Sequence, residues 1–114
     1  MASAREAVFG FFSETTMKLS VIIPAYNEFS TIAETLIDIH VQLCEENIIF
    51  EIIVVNDGST DHTIDEINKL KNKVIVQDNK KNLGFAKSIK TAIKKSNGDY
   101  FLWINHSLYV NYQS

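Results

Sequence analysis

Four short polar runs carry residue types that could hold a charged, ring-bearing ligand: "PAYNE" (residues 24–28), "NDGSTD" (56–61), "DNKKNLG" (78–84) and "NHS" (105–107). Tyr26 offers an aromatic face on which a nucleobase can stack. Asp57 offers a carboxylate that can accept a hydrogen bond from a base N–H, and helix N-termini expected after the loops favour phosphate. Each run also has an architectural reading. Pro24 and Asn27 can turn the chain, Asp57 and Gly58 can form a turn, and Ser59, Thr60 or Asp61 can cap a helix. The functional reading gains from joint placement, because all four runs follow predicted strands. No G-x-G-x-x-G follows the first strand and no G-x-x-x-x-G-K-[ST] occurs, which disfavours dinucleotide cofactors and P-loop chemistry.

The elements that must position these runs are legible in the apolar pattern. Residues 19–23 are mostly apolar and β-branched without alternation, as expected of a strand covered on both faces. Thr31 with Glu34 forms a potential capping box, and Phe29, Ile32, Leu36, Ile39 and Leu43 then recur at helical spacing. "IIFEIIVV" (48–55) repeats the buried-strand pattern, and a helix with an inner stripe of Ile64, Ile67 and Leu70 follows. A short strand is predicted over 74–77. A helix over about 85–96 is expected to bury Phe85, Ile89, Ala92 and Ile93, to keep Lys87, Lys90 and Lys94 wet, and to end at Gly98 as C-cap. A fourth strand spans 100–104. This alternation predicts an α/β, Rossmann-like unit: a mainly parallel sheet of about four strands with helices on both faces. Ligands of such sheets bind beyond the carboxyl ends of the strands, where the four polar runs converge.

Length and composition suit one domain: 114 residues, 46% hydrophobic, with a net charge of -3 that argues against nucleic acid as a partner. Nine of the eleven basic residues fall within 69–95, and twelve of the fourteen acids stand at or before Glu66. Such polarity can assist an anionic ligand, although a solvated surface explains much of it. Cys44 is the only cysteine, so no intramolecular disulfide or cysteine-based zinc site is available; a half-buried thiol on a helix is expected. No stretch is long and apolar enough to span a bilayer, and "AVFGFF" is too short and closely flanked by charge for a signal peptide. A cytoplasmic location follows as the expectation, with peripheral placement at the cytoplasmic face of a membrane left open. Residues 1–16 read as a leader or extension of unclear role, 17–105 as the domain and 106–114 as a divergent tail.

In order and spacing, "VIIPAYNE", "VVNDGSTD", "NLGFAKSIKTAIKKSNGDY" and "LWIN" resemble the N-terminal half of family 2 glycosyltransferases of the GT-A fold. The resemblance covers residues 18–105. It implies a half-domain that binds the base and ribose of a nucleotide-diphosphate sugar. By the same resemblance Pro24, Ala25, Tyr26 and Glu28 line the nucleotide pocket, Asp57 contacts the base, and Asn82, Gly84 and Lys87 close over the nucleotide. Asn56 stands where many members carry a further Asp, and Asp99 reads as a structural residue at a strand start.

The pattern breaks at its metal motif. The family's D-x-D or N-x-D, whose last acid helps Mg²⁺ or Mn²⁺ bridge the diphosphate, is here Asn105-His106-Ser107. Asn105 suits the N-x-D form, but Ser107 puts a neutral hydroxyl where these cations want a carboxylate. His40 and His62, on predicted helices, have no metal-site spacing. The family's acceptor half and general base have no counterpart in "HSLYVNYQS". The expectation is therefore a truncated glycosyltransferase domain that keeps its donor site, acting toward a glycan, lipid or protein acceptor only with the missing half supplied. The alternative is a non-catalytic nucleotide-sugar-binding module or inactive fragment, with self-association or a partner subunit covering its open edge.

Overall fold

The computed structural model describes residues 16–104. Its elements run β1 (Lys18–Ala25), α1 (Ile32–Glu45), β2 (Ile49–Asn56), α2 (Thr63–Asn68), β3 (Ile75–Asp78), α3 (Phe85–Lys95) and β4 (Tyr100–Trp103). The four strands form one sheet in the order β3-β2-β1-β4, all pairs parallel. This is the α/β architecture expected from the alternating pattern. The two long strands are central, and β1 pairs with β2 in register from Lys18 with Ile49 to Ala25 with Asn56.

β1 runs two residues beyond the predicted 19–23 and passes through Pro24. A strand residue points its N–H and C=O to the same side, and successive residues point to opposite sides. Ile22 receives the Ile104 N–H and Ala25 receives the Asp57 N–H, so Pro24 shares the β4-facing parity of Ile22. Its missing donor therefore falls on the side where the short β4 ladder has ended, and the β1–β2 ladder is undisturbed.

The sheet faces carry unequal layers. Leu19, Val21, Ile23, Ala25, Ile52 and Val54 pack with Ile32, Leu36, Ile39 and Leu43 of α1 and Ile67 of α2 in one large cluster. The opposite face is thin: Ile22, Ile53 and Val55 meet Ala92 and the half-buried Ile89 of α3. Polar contacts supplement that thin layer. Glu51, on β2, accepts hydrogen bonds through Oε2 from the Ser20 hydroxyl at 2.6 Å and from the Asn97 N–H at 2.6 Å, with Lys18 Nζ 3.5 Å from Oε1. Burial alone would raise Glu51, but the Ser20 and Asn97 hydrogen bonds and the Lys18 charge outweigh it and hold the carboxyl below its ordinary value.

Several local expectations change. Thr31 makes no side-chain cap; the N–H groups of Thr31 and Ile32 instead donate to the Glu28 carbonyl at 3.1 and 2.9 Å, so a backbone turn winds directly into α1. Phe29 and Ile93 are exposed rather than buried, and Cys44 is exposed, its Sγ 3.8 Å from His40 Nδ1. Phe85, at the first turn of α3, lies at the rim and leaves 49% of its surface exposed while its ring packs edge-on against Trp103, centroids 4.4 Å apart. Gly98 is not a left-handed cap, because α3 ends at Lys95 and Ser96 follows in extended conformation. Its constraint is space: a Cβ there would lie 2.2 Å from Ser20 Oγ and 2.8 Å from Ser20 N. Asp99 holds the strand start, exchanging hydrogen bonds with the backbone of Lys18 at 2.8 and 2.9 Å.

Gly98→Ala is expected to destabilise the chain by about 1–3 kcal/mol, because a backbone atom cannot swing aside as a side chain can. Urea denaturation of the two proteins measures this directly.

Candidate functional site

Three of the four polar runs meet at the carboxyl ends of the strands; the fourth, with Asn105 and Ser107, lies outside the described residues. Backbone and side-chain hydrogen bonds stitch the three together. Asn27, in the left-handed region at φ 51°, donates its N–H to Ser59 Oγ at 3.0 Å and accepts the Thr60 N–H through Oδ1 at 2.8 Å. Such a φ is tolerated by Asn, whose short amide can bond locally. The Glu28 N–H donates to Thr63 Oγ1 at 2.9 Å, and Asp61 Oδ1 accepts the Thr63 N–H at 2.9 Å. The run after β1 is thereby fastened to the start of α2.

Asp57 fastens the second run to the third. Its Oδ1 accepts the Leu83 N–H at 2.8 Å and the Asn79 Nδ2 at 3.0 Å, while its own N–H donates to the Ala25 carbonyl at 3.1 Å. The side chain is buried, leaving 8% of the residue exposed. Burial would raise its carboxyl, but hydrogen bonds from the Leu83 amide, the Asn79 and Ser88 side chains and the Gly84 amide more than reverse this, so Asp57 titrates below the ordinary aspartate value. It is an anion at neutral pH.

Gly58 allows the third run to lie this close. Its φ is +74°, and a Cβ would come 2.3 Å from Asn82 N and 2.4 Å from the Lys81 carbonyl carbon. Glycine is needed there twice over, for conformation and for space. Within the third run Asn82 Oδ1 accepts the Gly84 N–H at 2.9 Å, and Gly84, at φ +88°, turns the chain into α3.

The residues singled out in the sequence therefore divide. Pro24, Tyr26, Glu28, Asp57, Asn82 and Gly84 come to one rim, with Tyr26 presenting 47% of its surface to solvent. Ala25 reaches the rim only through its backbone: its side chain lies in the α1 core and its carbonyl is taken by Asp57. Lys87 is exposed on α3. Sequence reasoning missed Asn79, Ser88 and Gln77, which interlock beneath Asp57. The signal for them was the strand parity of Gln77 and the helical phase of Ser88, a small polar residue within an apolar stripe.

Asn56 also has a physical account. Its Nδ2 donates to Asp78 Oδ1 at 3.1 Å, and Asp78 in turn pairs with Lys80 at 3.1 Å. A carboxylate at position 56 would stand against Asp78, so the amide avoids a like-charge contact.

The sequence matches the family described as Glycosyl transferase family 2 over residues 20–112. The chain belongs to that family. Among relatives of this family 2 domain, an uncharacterised glycosyltransferase of Haemophilus influenzae is 42% identical over 86 residues, 73% of this chain and 26% of that protein. Poly(ribitol-phosphate) beta-N-acetylglucosaminyltransferase TarS of Staphylococcus aureus is 34% identical over 98 residues, 83% of this chain and 17% of that protein. The domain thus spans about a quarter or less of these relatives. Among solved structures, S. aureus TarS 1-349 in complex with UDP superimposes with a TM-score of 0.63 at 32% identity, covering 78% of this chain and 27% of that one. A mannosyltransferase of Pyrobaculum calidifontis, in complex with GDP-Man and Mn²⁺, superimposes with a TM-score of 0.71 at 22% identity over 82% of this chain and 28% of that one, which supports the GT-A-like, Rossmann-type fold.

Among the described residues no group of three or more His, Cys, Asp or Glu side chains is placed to hold a metal. The motif residues Asn105 and Ser107 supply only neutral oxygens. Nor is any helix among the described residues long and apolar enough to cross a membrane.

Asn56→Asp is expected to cost about 1–2 kcal/mol of stability at neutral pH, by losing a hydrogen bond and setting two carboxylates together. The loss should shrink as the pH is lowered and one of the pair keeps its proton. Thermal denaturation at pH 7 and pH 5 compares the two.

Proposed function

We propose that this chain is the donor-nucleotide half of a family 2 glycosyltransferase, binding a nucleotide-diphosphate sugar at the rim formed by the ends of β1, β2 and β3. Asp57 carries the reading. It is a buried carboxylate at the carboxyl end of a central strand, kept ionised by surrounding N–H donors, and it faces the same rim as the exposed ring of Tyr26. A carboxylate has about four acceptor positions, so its internal bonds leave room for a base N–H to share an oxygen. In this reading Tyr26 stacks on the base, and Pro24, the Ala25 backbone and Glu28 line its pocket. Asn82, Gly84 and Lys87 stand over the ribose and diphosphate. The start of α3 contributes free backbone amides, which favour the anionic diphosphate. TarS, at 32% and 31% identity, has been solved with UDP and with UDP-GlcNAc, which supports a nucleotide-diphosphate sugar as the ligand class. The sugar would pass to a glycan, lipid or protein acceptor, with the acceptor-binding half supplied from outside the described residues.

The neutral pair Asn105 and Ser107 favours a second reading, a module that binds the nucleotide sugar without turning it over. Metal-independent binding with no release of sugar from the donor would select it over the first.

Calorimetric titration with UDP, GDP and dTDP, each with and without Mn²⁺, tests both. Binding of one nucleotide by the parent chain is expected, with affinity falling about tenfold or more in Asp57→Asn. If none of the three binds, the nucleotide reading is lost.

A further inference from the structure

Asn79 and Ser88 fall inside the quoted runs without a role of their own there, yet they form the ground on which Asp57 stands. Asn79 Nδ2 donates both to Asp57 Oδ1 at 3.0 Å and to Ser88 Oγ at 2.9 Å. Its Oδ1 accepts Gln77 Nε2 at 3.0 Å, and its N–H donates to the Asn56 carbonyl at 3.0 Å. Asn79 is therefore held from β2, β3 and α3 at once, and its side-chain amide can adopt no other orientation without breaking three bonds. Gln77 is 2% exposed and Ser88 1%, so water does not substitute for these partners at low cost. Because the Gln77 donor polarises the Asn79 amide, the bond from Nδ2 to Asp57 is strengthened in turn.

From this network we infer that Asn79 and Ser88 are positioning residues for Asp57, fixing the direction and ionisation of its carboxylate for the base of the donor nucleotide. The inference rests on the nucleotide reading of the rim and deepens it: specificity for a base N–H resides in a relay of four side chains from β2, β3, the following loop and α3, rather than in the aspartate alone. The depressed titration of Asp57 agrees with this arrangement, since Asn79 and Ser88 both favour its charged form. The other titratable groups on the surrounding elements include Tyr26 and Glu28 after β1, Glu51 on β2, Asp61 after it, Asp78 on β3, Lys80 and Lys81 in the loop, and Lys87, Lys90, Lys94 and Lys95 on α3. Asp61 bonds to Thr63, Asp78 to Asn56 and Lys80, and Lys81 and Lys87 are exposed.

The test compares the parent chain with Asn79→Ala and Ser88→Ala, the second removing a single hydroxyl should the first fail to fold. Two quantities are read: affinity for UDP, GDP and dTDP across pH, and the titration of the Asp57 carboxyl carbon by NMR. The expected result is nucleotide affinity reduced about tenfold in Asn79→Ala and less in Ser88→Ala, with Asp57 titrating at higher pH in each and the acid loss of binding moving up with it. If the parent binds and the variants bind equally well, or more weakly at every pH with Asp57 titrating as before, the positioning role is overturned and the nucleotide reading stands. If the parent binds no nucleotide, both fall together.

Discussion

The parallel pairing of β1 with β2 is the constraint from which everything else in this chain descends. Eight residues on each strand are in register, and both are covered on both faces, so their side chains are apolar with little alternation. Parallel strands cannot be joined by a tight turn, so each returns through a helix, and every loop that leaves a strand end emerges at the same rim. Alternation of side chains along β2 then decides which groups serve which layer. Ile52 and Val54 enter the α1 core, while Glu51, Ile53, Val55 and Asp57 point toward α3. The rim is thus a geometric product of the ladder, and Asp57 is where the ladder delivers a charge to it.

The fold was legible because its signal is redundant. Long β-branched runs at β1 and β2, helical stripes in α1 and α2, and short connections all point to the same architecture, so errors at single positions did not matter. Pattern reading failed where side-chain direction depends on a neighbour distant in sequence. Phe85 and Ile93 share the helical phase of a buried stripe, but the α3 face of the sheet is too narrow to cover them. Gly98 resembles a helix stop, whereas its real constraint is the close approach of Ser20, backbone included, 78 positions earlier in the chain. The same limit applied to the site. The motif residues were visible as loop chemistry, but Asn79 and Ser88 acquire their meaning only when β3 and α3 are laid beside β2.

Asn56 shows how a departure from an expected acid can be a fitted choice rather than a loss. With Asp78 at the end of the adjacent strand, an amide is the residue that joins the two strand ends by a hydrogen bond.

The unequal layers on the two sheet faces have one more consequence. α1 and α2 sit on a broad apolar cluster, whereas α3 rests through Ala92 and Ile89 on three buried apolar side chains of the sheet and is held at its two ends by carboxylates, Asp57 just after β2 at its start and Glu51 of β2 just beyond its end. Segments with few apolar contacts open at free energies below that of global unfolding. Lifting α3 would release Leu83, Asn79 and Ser88 from Asp57 while β1, β2 and α1 remained assembled. The rim therefore belongs to a less stable cooperative unit than the sheet that builds it, and this protein can lose its site while keeping its fold.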